Sequence, residues 1–439
     1  MRTKKVAYLF ALVTPLYLSA NSLDMLCKIG LEHNPKIKSY KHKVSASHSY
    51  YNQSKDQYMP HLNISGQYGY QDYDLGSSLS SKPYKGESYN YMFSVRQPIY
   101  RARLLDAIHD AQAREKLAKI EQKDQEARLV IQIVQSSIEI LRDKKTVEVL
   151  SKKTKVLKKA YDNIYDKYKV QLASSADLFQ AKAMLHQSQS ELTQAKQKYD
   201  YNLFNLQLLT KTKDIKRYIN KLDFSQKSLK FLKKRANIKT LKKLVNNNTQ
   251  LKYYKQLIKI AKIQIDLRKS ERLPQVDAVV SYADAGGSLD SVTRQNESKA
   301  MITLNFPIYQ GGYVSDRVEE GRYLLMSSQE DYLDLYQNIS ISMEKSISNI
   351  QGGLESINAQ NIALNASKKY FQSMVQSYKN GVASLTDTYL AESDYRDSQL
   401  KLINIEADVY LSIAEVYYYA GLTSIKDIQR LEKRYFKIK

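Results

Sequence analysis

The residues that could carry acid–base or metal chemistry are few and far apart in this sequence of 439 residues. Its six histidines are His33, His42, His48, His61, His109 and His186. His42 and His48 are six residues apart, whereas a metal-binding pair on one helical face needs a spacing of about four. There is no phosphate-binding glycine loop, no nucleophile elbow and only one cysteine. We therefore predict no catalytic site, no metal and no cofactor.

Two acidic residues, Asp177 and Asp387, do have a chemistry that their positions could use. Each follows an Ala-Ser pair with two residues between, in Ala173-Ser174-Ser175-Ala176 and Ala383-Ser384-Leu385-Thr386. Such an acid can cap a helix N-terminus, which contributes up to about 2 kcal/mol. In a three-fold assembly, two acids per chain would also form a ring of about six that attracts cations and repels anions. The sequence favours neither interpretation, and both can hold together.

The elements that position these acids occur twice in the chain. Pro274 lies 214 residues after Pro60, Pro307 lies 209 residues after Pro98, and Asp387 lies 210 residues after Asp177. A nearly constant offset over most of a chain indicates an internal repeat. Each half is predicted to contain a helix, two strands, a very long helix, a turn and a helix. The predicted boundaries are 1–20 for a signal peptide, 21–210 and 237–421 for the repeats, 211–236 for a linker and 422–439 for a basic tail.

Narrow apolar stripes predict long paired helices. Leu150, Leu157 and Ile164 in the first half, and Ile339, Met343, Ile347 and Ile350 in the second, follow three-, four- and seven-residue steps. This spacing is typical of antiparallel coiled coils. The stretch from Leu104 to Val170 contains no Gly or Pro. As one helix it would be about 100 Å long, which suits a duct across a compartment or a structural rod.

Four segments alternate between apolar and polar residues, as half-buried strands do. They begin near Leu62, Tyr89, Val276 and Ala300. Each is about as long as the 9–11 residues that a tilted strand needs to cross a bilayer. Pro60, Pro98, Pro274 and Pro307 lie near the ends of these segments, where a missing N–H and a fixed φ do least harm.

A sheet in lipid must close on itself, because an unpaired edge has no water to bond with. Four strands are too few for this, since transmembrane barrels start at about eight. Two chains would supply eight strands and three would supply twelve. A barrel of eight is filled by its own side chains, so a duct favours three chains.

The N-terminal segment is typical of a secretory signal. Arg2, Lys4 and Lys5 precede a short apolar stretch that ends at Ala20. An uncleaved anchor is the alternative, although the stretch is short for a spanning helix. The single cysteine, Cys27, lacks small residues before it that lipidation requires, so we predict a buried or half-buried helix residue.

The chain is basic, with a formal charge of +23. Removing Arg2, Lys4 and Lys5 with the signal leaves 68 − 3 − 45 = +20. The lysines are spread along helical segments among Gln, Asp and Ser, and no basic patch with interleaved aromatic residues stands out, which disfavours nucleic-acid binding. A Lys-rich stretch from Lys211 to Lys243 is interpreted as a solvated face or, alternatively, as a docking site for an acidic partner. The basic tail after Leu422 has no interpretation from the sequence.

This order of elements resembles the TolC-like outer membrane efflux proteins. The local match is Asn305-Phe306-Pro307-Ile308-Tyr309-Gln310-Gly311-Gly312, which looks like the family's strand-to-helix signature. Tyr378-Lys379-Asn380-Gly381-Val382 resembles its tight turn between tunnel helices. The resemblance covers nearly everything after the signal. It implies a mainly α fold with a small β part: a twelve-helix α-barrel tunnel and, in the trimer, a twelve-stranded transmembrane β-barrel.

The resemblance also implies partners and site residues. The protein would lie in the outer membrane of a Gram-negative bacterium, with a long periplasmic portion, as the exit duct of a tripartite efflux pump or type I secretion system. Its helix tips would meet a periplasmic adaptor (membrane fusion) protein and an inner-membrane pump of the RND or ABC type. Asp177 and Asp387 match entrance acids of the family. The tip residues are Val170, Gln171, Leu172, Asn380, Gly381 and Val382.

The chain departs from the family pattern at three positions near the entrance. The second entrance acid falls at Leu390, a basic locking residue falls at Ala383, and Gln171 replaces a turn glycine. Because Gly tolerates positive φ better than Gln, the first tip is expected to differ from the second. A periplasmic coiled-coil adaptor or scaffold is the competing function, although adaptors usually carry one helical hairpin rather than a duplicated set.

Overall fold

The computed structural model describes residues 22–73, 84–225, 229, 244–288 and 294–438. The predicted signal peptide and the Lys233-Lys234-Arg235 run of the linker lie outside the described residues. The described chain forms two compact units. Unit 1 comprises the described parts of 22–37, 126–248 and 340–438, and unit 2 those of 38–125 and 249–339. Each unit contains parts of both sequence repeats, and the predicted repeat boundaries stay a prediction.

Helices dominate the described residues. They are α1 (Ser22–His33), α2 (Pro35–Asp56), α3 (Ala102–Lys169), α4 (Ser175–Thr210), α5 (Ile215–Ile219), α6 (Thr249–Lys269), α7 (Tyr313–Lys379), α8 (Leu385–Tyr419) and α9 (Ile425–Tyr435). The strands are β1 (His61–Tyr73), β2 (Tyr84–Arg101), β3 (Leu222–Phe224), β4 (Gln275–Gly287), β5 (Gln295–Asn305) and β6 (Phe436–Ile438). Among these helices, none has the length and hydrophobicity needed to span a membrane.

The apolar stripes of the two long helices are buried as the sequence predicts. α3 has 68 residues and α7 has 67. In unit 1, the buried members of the stripes are Leu150, Leu157, Ile164, Met343, Ile347 and Ile350. The stripe of α3 ends before Tyr168, which is 42% exposed.

Cys27 is fully buried in α1, and its burial, with Asp24 and Glu432 nearby, raises the pKa of its thiol.

Hydrogen bonds show that α3 with α4, and α7 with α8, form antiparallel hairpins within unit 1. In the second hairpin, Ser346 Oγ donates to Glu415 Oε2 at 2.7 Å and Gln360 Nε2 donates to the Ser398 carbonyl at 3.0 Å. In the first hairpin, Asn202 Nδ2 donates to Asp143 Oδ2 at 2.6 Å. The Oγ atoms of Thr154 and Ser188 lie 2.7 Å apart, closer to the turn. In each hairpin, therefore, a residue nearer the turn on one helix bonds to a residue nearer the turn on the other. This fixes the register of the two antiparallel helices.

α7 and α8 pack closely at one of two adjacent glycines of α7. A Cβ on Gly353 would lie 2.3 Å from Cγ2 of Val409, whereas a Cβ on Gly352 would meet nothing within 4 Å. Because a helical Val is stiff at χ1, Gly353→Ala should destabilise the fold by about 1–3 kcal/mol. Gly352→Ala should stabilise it by up to about 1 kcal/mol through helix propensity. Chemical unfolding of both variants measures this; equal effects would contradict the packing.

The four longer strands form one antiparallel sheet in unit 2, in the order β1-β2-β4-β5. The register explains the alternation in the sequence, because paired residues share a face of a sheet. One cross-strand row is apolar: Leu62, Val95, Val280 and Ala300. The next row is polar: Asn63, Ser94, Ser281 and Lys299. Side chains such as Ile64, Ile302 and Leu304 are exposed, so the described residues leave the apolar face uncovered.

The C-terminal segment, which the sequence left uninterpreted, is folded into unit 1. α9 packs against α1, and β6 pairs with β3. Glu432 is fully buried, and its carboxylate accepts hydrogen bonds from the backbone N–H groups of Ser22 (2.8 Å), Leu23 (3.1 Å) and Asp24 (3.3 Å). These are orphan donors of the first turn of α1. A side chain of α9 therefore caps α1.

Glu432 should also make stability depend on pH. Burial raises its pKa from 4.5 to about 7, outweighing the three N–H donors that lower it. An acid with a higher pKa in the folded state stabilises the fold fully below pH 4.5 and loses that contribution as pH rises to about 7. The loss is up to about 3 kcal/mol. We expect Tm, measured by calorimetry, to show this fall in the wild type and not in Glu432→Gln; parallel profiles would contradict it.

Candidate functional site

The two hairpin turns in unit 1 have the same backbone. The N–H of Gln171 donates to the Tyr168 carbonyl (3.0 Å), and that of Leu172 donates to the Lys167 carbonyl (2.8 Å). At the second turn, Gly381 donates to Tyr378 (3.0 Å) and Val382 to Ser377 (2.9 Å). Both patterns are the Schellman motif, which satisfies carbonyls at the end of a helix.

Gln171 occupies the left-handed position of this motif with φ 58°, as Gly381 does with φ 74°. The expectation that the first tip differs is therefore wrong for the backbone. A non-glycine residue in this region costs about 1–2 kcal/mol, and the two hydrogen bonds of the motif offset that cost. At this position the tips differ only in the side chain, since Gln171 carries a polar one where Gly381 has none.

Exposed aliphatic side chains surround both turns. Val170 is 63% exposed, Leu172 is 76% exposed and Val382 is 82% exposed, and Asn380 is also exposed. The tips thus present apolar surface at the two ends where the chain reverses. Such surface is a suitable contact for a partner.

Asp177 and Asp387 both complete capping boxes. Asp177 Oδ2 accepts from the Ser174 N–H at 3.2 Å, and Ser174 Oγ accepts from the Asp177 N–H at 3.1 Å. Ser384 and Asp387 repeat this at 3.3 Å and 3.0 Å. The structure therefore supports the capping interpretation directly. Asp387 is exposed and Asp177 is half-buried, so the cap leaves both carboxylates in contact with solvent.

A third capping box, Ser424 with Asp427 at the start of α9, shows that the motif alone does not mark an entrance. The side chain of Asp427 is 16% accessible. This cap was not predicted, although Ser three residues before an acid is the usual signal for one. Position beside a hairpin turn, and not exposure, distinguishes Asp177 and Asp387 from Asp427.

Contacts between the two hairpins of unit 1 involve residues that no sequence motif marks. Lys153 Nζ on α3 lies 2.9 Å from Asp397 Oδ1 on α8 and 3.4 Å from Glu191 Oε2 on α4. Nearer the tips, Lys167 Nζ lies 5.8 Å from the centre of the Tyr378 ring. These contacts tie the repeats together even though Ala383 and Leu390 lack the family's locking groups. Because the partners lie more than 200 residues apart, no local signal identifies them.

The predicted strand–helix transitions lie in unit 2. Pro60 and Pro274 directly precede β1 and β4, and Pro307 follows β5 by two residues. Pro98 lies inside β2, at the irregularity in its pairing with β4. There the missing N–H is tolerated because the register shifts.

Gly311 and Gly312 precede α7 with φ values of 58° and 87°, a conformation that favours glycine. Arg101, the last residue of β2, lies beside this end of the sheet and binds the carboxylate of buried Asp277 through two nitrogens, with Nε–Oδ1 at 2.7 Å.

No group of three metal-ligand side chains lies together in the part of the chain that the structure describes. His48 is engaged with Glu115, with Nδ1 3.2 Å from Oε1. Glu115 also binds Lys119 at 2.6 Å. Hydrogen bonding to Lys119 and to His48 lowers the pKa of Glu115 despite its burial, which is the behaviour of a structural ion pair.

Comparisons with known proteins agree on one architecture. Residues 26–210 and 240–422 match the family model described as "outer membrane efflux protein". The chain is similar to the outer membrane protein TolC of Salmonella enteritidis, with 24% identity over 200 residues. That match covers 44% of this chain and 41% of the relative, so it spans about four-tenths of the relative's length.

Solved structures extend the likeness over nearly the whole chain. The outer membrane protein VceC of Vibrio cholerae has a TM-score of 0.74 at 13% identity, covering 91% of this chain and 96% of that one. The outer membrane channel CmeC of Campylobacter jejuni has a TM-score of 0.76 at 13% identity, covering 94% and 89%. The predicted fold class is confirmed.

Proposed function

Because the chain belongs to the outer membrane efflux protein family, we propose that it is a passive exit duct that three copies complete. The chain is an outer-membrane protein with a long periplasmic portion. The proposed activity is conduction through a channel and not catalysis.

One observation carries the proposal: the sheet of unit 2 is apolar on one face, polar on the other, and ends at β1 and β5. An exposed apolar face suits lipid, and a polar face suits a water-filled lumen. The edges of β1 and β5 need partners in a membrane, since lipid offers no hydrogen bonds. Three copies supply twelve strands, enough for an open lumen, whereas eight strands would be filled by side chains.

The partners follow from the tips. Apolar tips at Val170, Leu172 and Val382 support docking of a periplasmic adaptor protein, with an inner-membrane pump beyond it. An RND-type pump would make the assembly an efflux system, and an ABC-type pump a type I secretion system. A deletion strain separates the two, since loss of drug resistance indicates efflux and loss of a secreted polypeptide indicates secretion.

The proposal is tested on the purified full-length chain in detergent. Mass measurement should give a trimer, and planar bilayers should show discrete conductance steps. A soluble monomer without conductance would overturn the duct and favour a coiled-coil scaffold.

The acids at the tips should set the ion preference of the duct. If Asp177 and Asp387 form a ring in the trimer, replacing both with Ala should lower the ratio of cation to anion permeability several-fold, on the order of threefold or more. Reversal potentials in asymmetric salt measure this. The matched control is Ser174→Ala with Ser384→Ala, which removes the caps, about 1 kcal/mol each, but keeps the charges. Equal selectivity in the two double variants would remove the role of the acids.

A further inference from the structure

A basic surface in unit 1 has no role in the duct described so far. It is formed by α5 and the nearby Lys221, together with α9 and β6. Both α5 and α9 contact α1, and β6 pairs with β3, so the segments share one part of the unit. We call it the basic collar, and its exposed residues are Lys216, Arg217, Lys221, Lys426, Arg430, Lys433, Arg434 and Lys437.

The collar follows from how α9 buries its other face. Ile428, Leu431, Glu432 and Tyr435 are buried, at the spacing of one helical stripe. Lys426, Arg430, Lys433 and Arg434 recur on the opposite side. Arg430 Nη1 lies 3.5 Å from Asp427 Oδ1, and the other collar cations form no ion pair with a described residue. Asp214 is an exposed acid beside them, so the collar keeps a strong positive excess.

The chemistry of the collar distinguishes between kinds of partner. Stable protein–protein contacts centre on buried aromatic or aliphatic anchors. Within the described residues of α5, β3, α9 and β6, no large hydrophobic side chain is exposed. A surface of spaced cations without anchors suits a flexible polymer that carries many negative charges.

The position of the collar along the helices limits which polyanion it could meet. Lys145 of α3 binds Asp223 of β3 at 2.8 Å, which places the collar's sheet about 36 Å along α3 from the tip end at Lys169. A partner of the tips therefore does not need this surface. A duct whose helices cross the periplasm passes through the peptide-crosslinked glycan of the cell wall, whose stem peptides carry free carboxylates.

We infer that the basic collar binds the carboxylates of the cell-wall glycan and so anchors the duct in the wall. This inference rests on the proposed function, since it needs the helices to lie in the periplasm. Exposed lysine and arginine side chains can bind such a polyanion without a pocket, because the attraction is the sum of many weak contacts. Binding should weaken as salt is raised, since screening shortens the range of such contacts.

The test uses the full-length protein in detergent and purified sacculi freed of bound protein by protease. The wild type should co-sediment with them. A collar variant carries Lys426→Gln, Arg430→Gln, Lys433→Gln and Lys437→Gln. Its apparent affinity should fall at least about tenfold, since each exposed ion contact is weak but four are removed. A control variant removes the same charge from exposed positions of α2, at Lys36→Gln, Lys38→Gln, Lys41→Gln and Lys43→Gln.

Each outcome decides the inference. Loss of binding in the collar variant alone, with its trimer mass and conductance unchanged, supports it. Equal losses in both variants overturn it in favour of net charge. Binding that persists on sacculi with amidated carboxylates, or that needs undigested wall protein, also overturns it. If the wild type conducts in bilayers but does not co-sediment with sacculi, the role of the collar is overturned and the proposed duct is retained. If the wild type does not conduct, the proposed duct itself is overturned.

Discussion

Glu432→Ala is expected to lower the free energy of unfolding by about 3–5 kcal/mol. The substitution leaves three buried backbone N–H groups of α1 without acceptors, and each unsatisfied buried group costs about 1–3 kcal/mol. Water that reaches the first turn of α1 reduces the sum. Chemical unfolding of the purified protein, followed by circular dichroism, measures the change.

Glu32→Ala is the matched control, because Glu32 is an exposed glutamate of α1 itself. It should change stability by less than about 0.5 kcal/mol. If the two alanine variants unfold alike, the carboxylate of Glu432 does not hold the first turn of α1.

Arg101→Met is expected to destabilise the sheet of unit 2 by about 3–5 kcal/mol, because it strips a buried carboxylate of its partner. Asp277 is 7% exposed and is held by two guanidinium nitrogens of Arg101. The methionine keeps most of the apolar stem, so the loss reports the charge. The temperature at which the purified oligomer dissociates, together with circular dichroism, provides the measurement.

Two variants sharpen this test. Arg103→Met removes an exposed arginine two residues away and should have little effect. Adding Asp277→Leu to Arg101→Met removes both charges and should recover most of the lost stability. A double variant as unstable as Arg101→Met alone would mean that packing and not the ion pair is responsible.

The sequence predicted local structure well where the period of the pattern is short. Alternation marked all four strands of the sheet, and prolines marked where β1 and β4 begin. The absence of Gly and Pro marked the extent of α3. What the pattern could not supply is the pairing of β2 with β4, which joins the two repeats across more than 170 residues. Residues such as Val95 and Val280 fit many registers equally well by hydrophobicity alone.

The candidate site was predictable in location but not in detail. The repeat placed both turns and both acids, because turn residues and capping boxes are local motifs. The expectation at Gln171 was wrong, because propensity alone predicts a different backbone there, whereas two local hydrogen bonds enforce the same backbone as at Gly381. Lys153 with Asp397, and Glu432 with α1, could not be predicted because their partners are distant in sequence. The tail of α9 and β6 was missed for the same reason.

Because the register of the two hairpins is fixed, their length can change only in steps of whole heptads. Removing seven residues from one leg and seven from the other would shorten a hairpin by about 10 Å and keep its apolar stripe facing its partner. A deletion that is not a whole number of heptads would rotate the stripe away from its partner. Since Lys153 links the hairpins, both must change together. Natural or engineered relatives of this chain should therefore differ in tunnel length by whole heptads, matched in four legs at once.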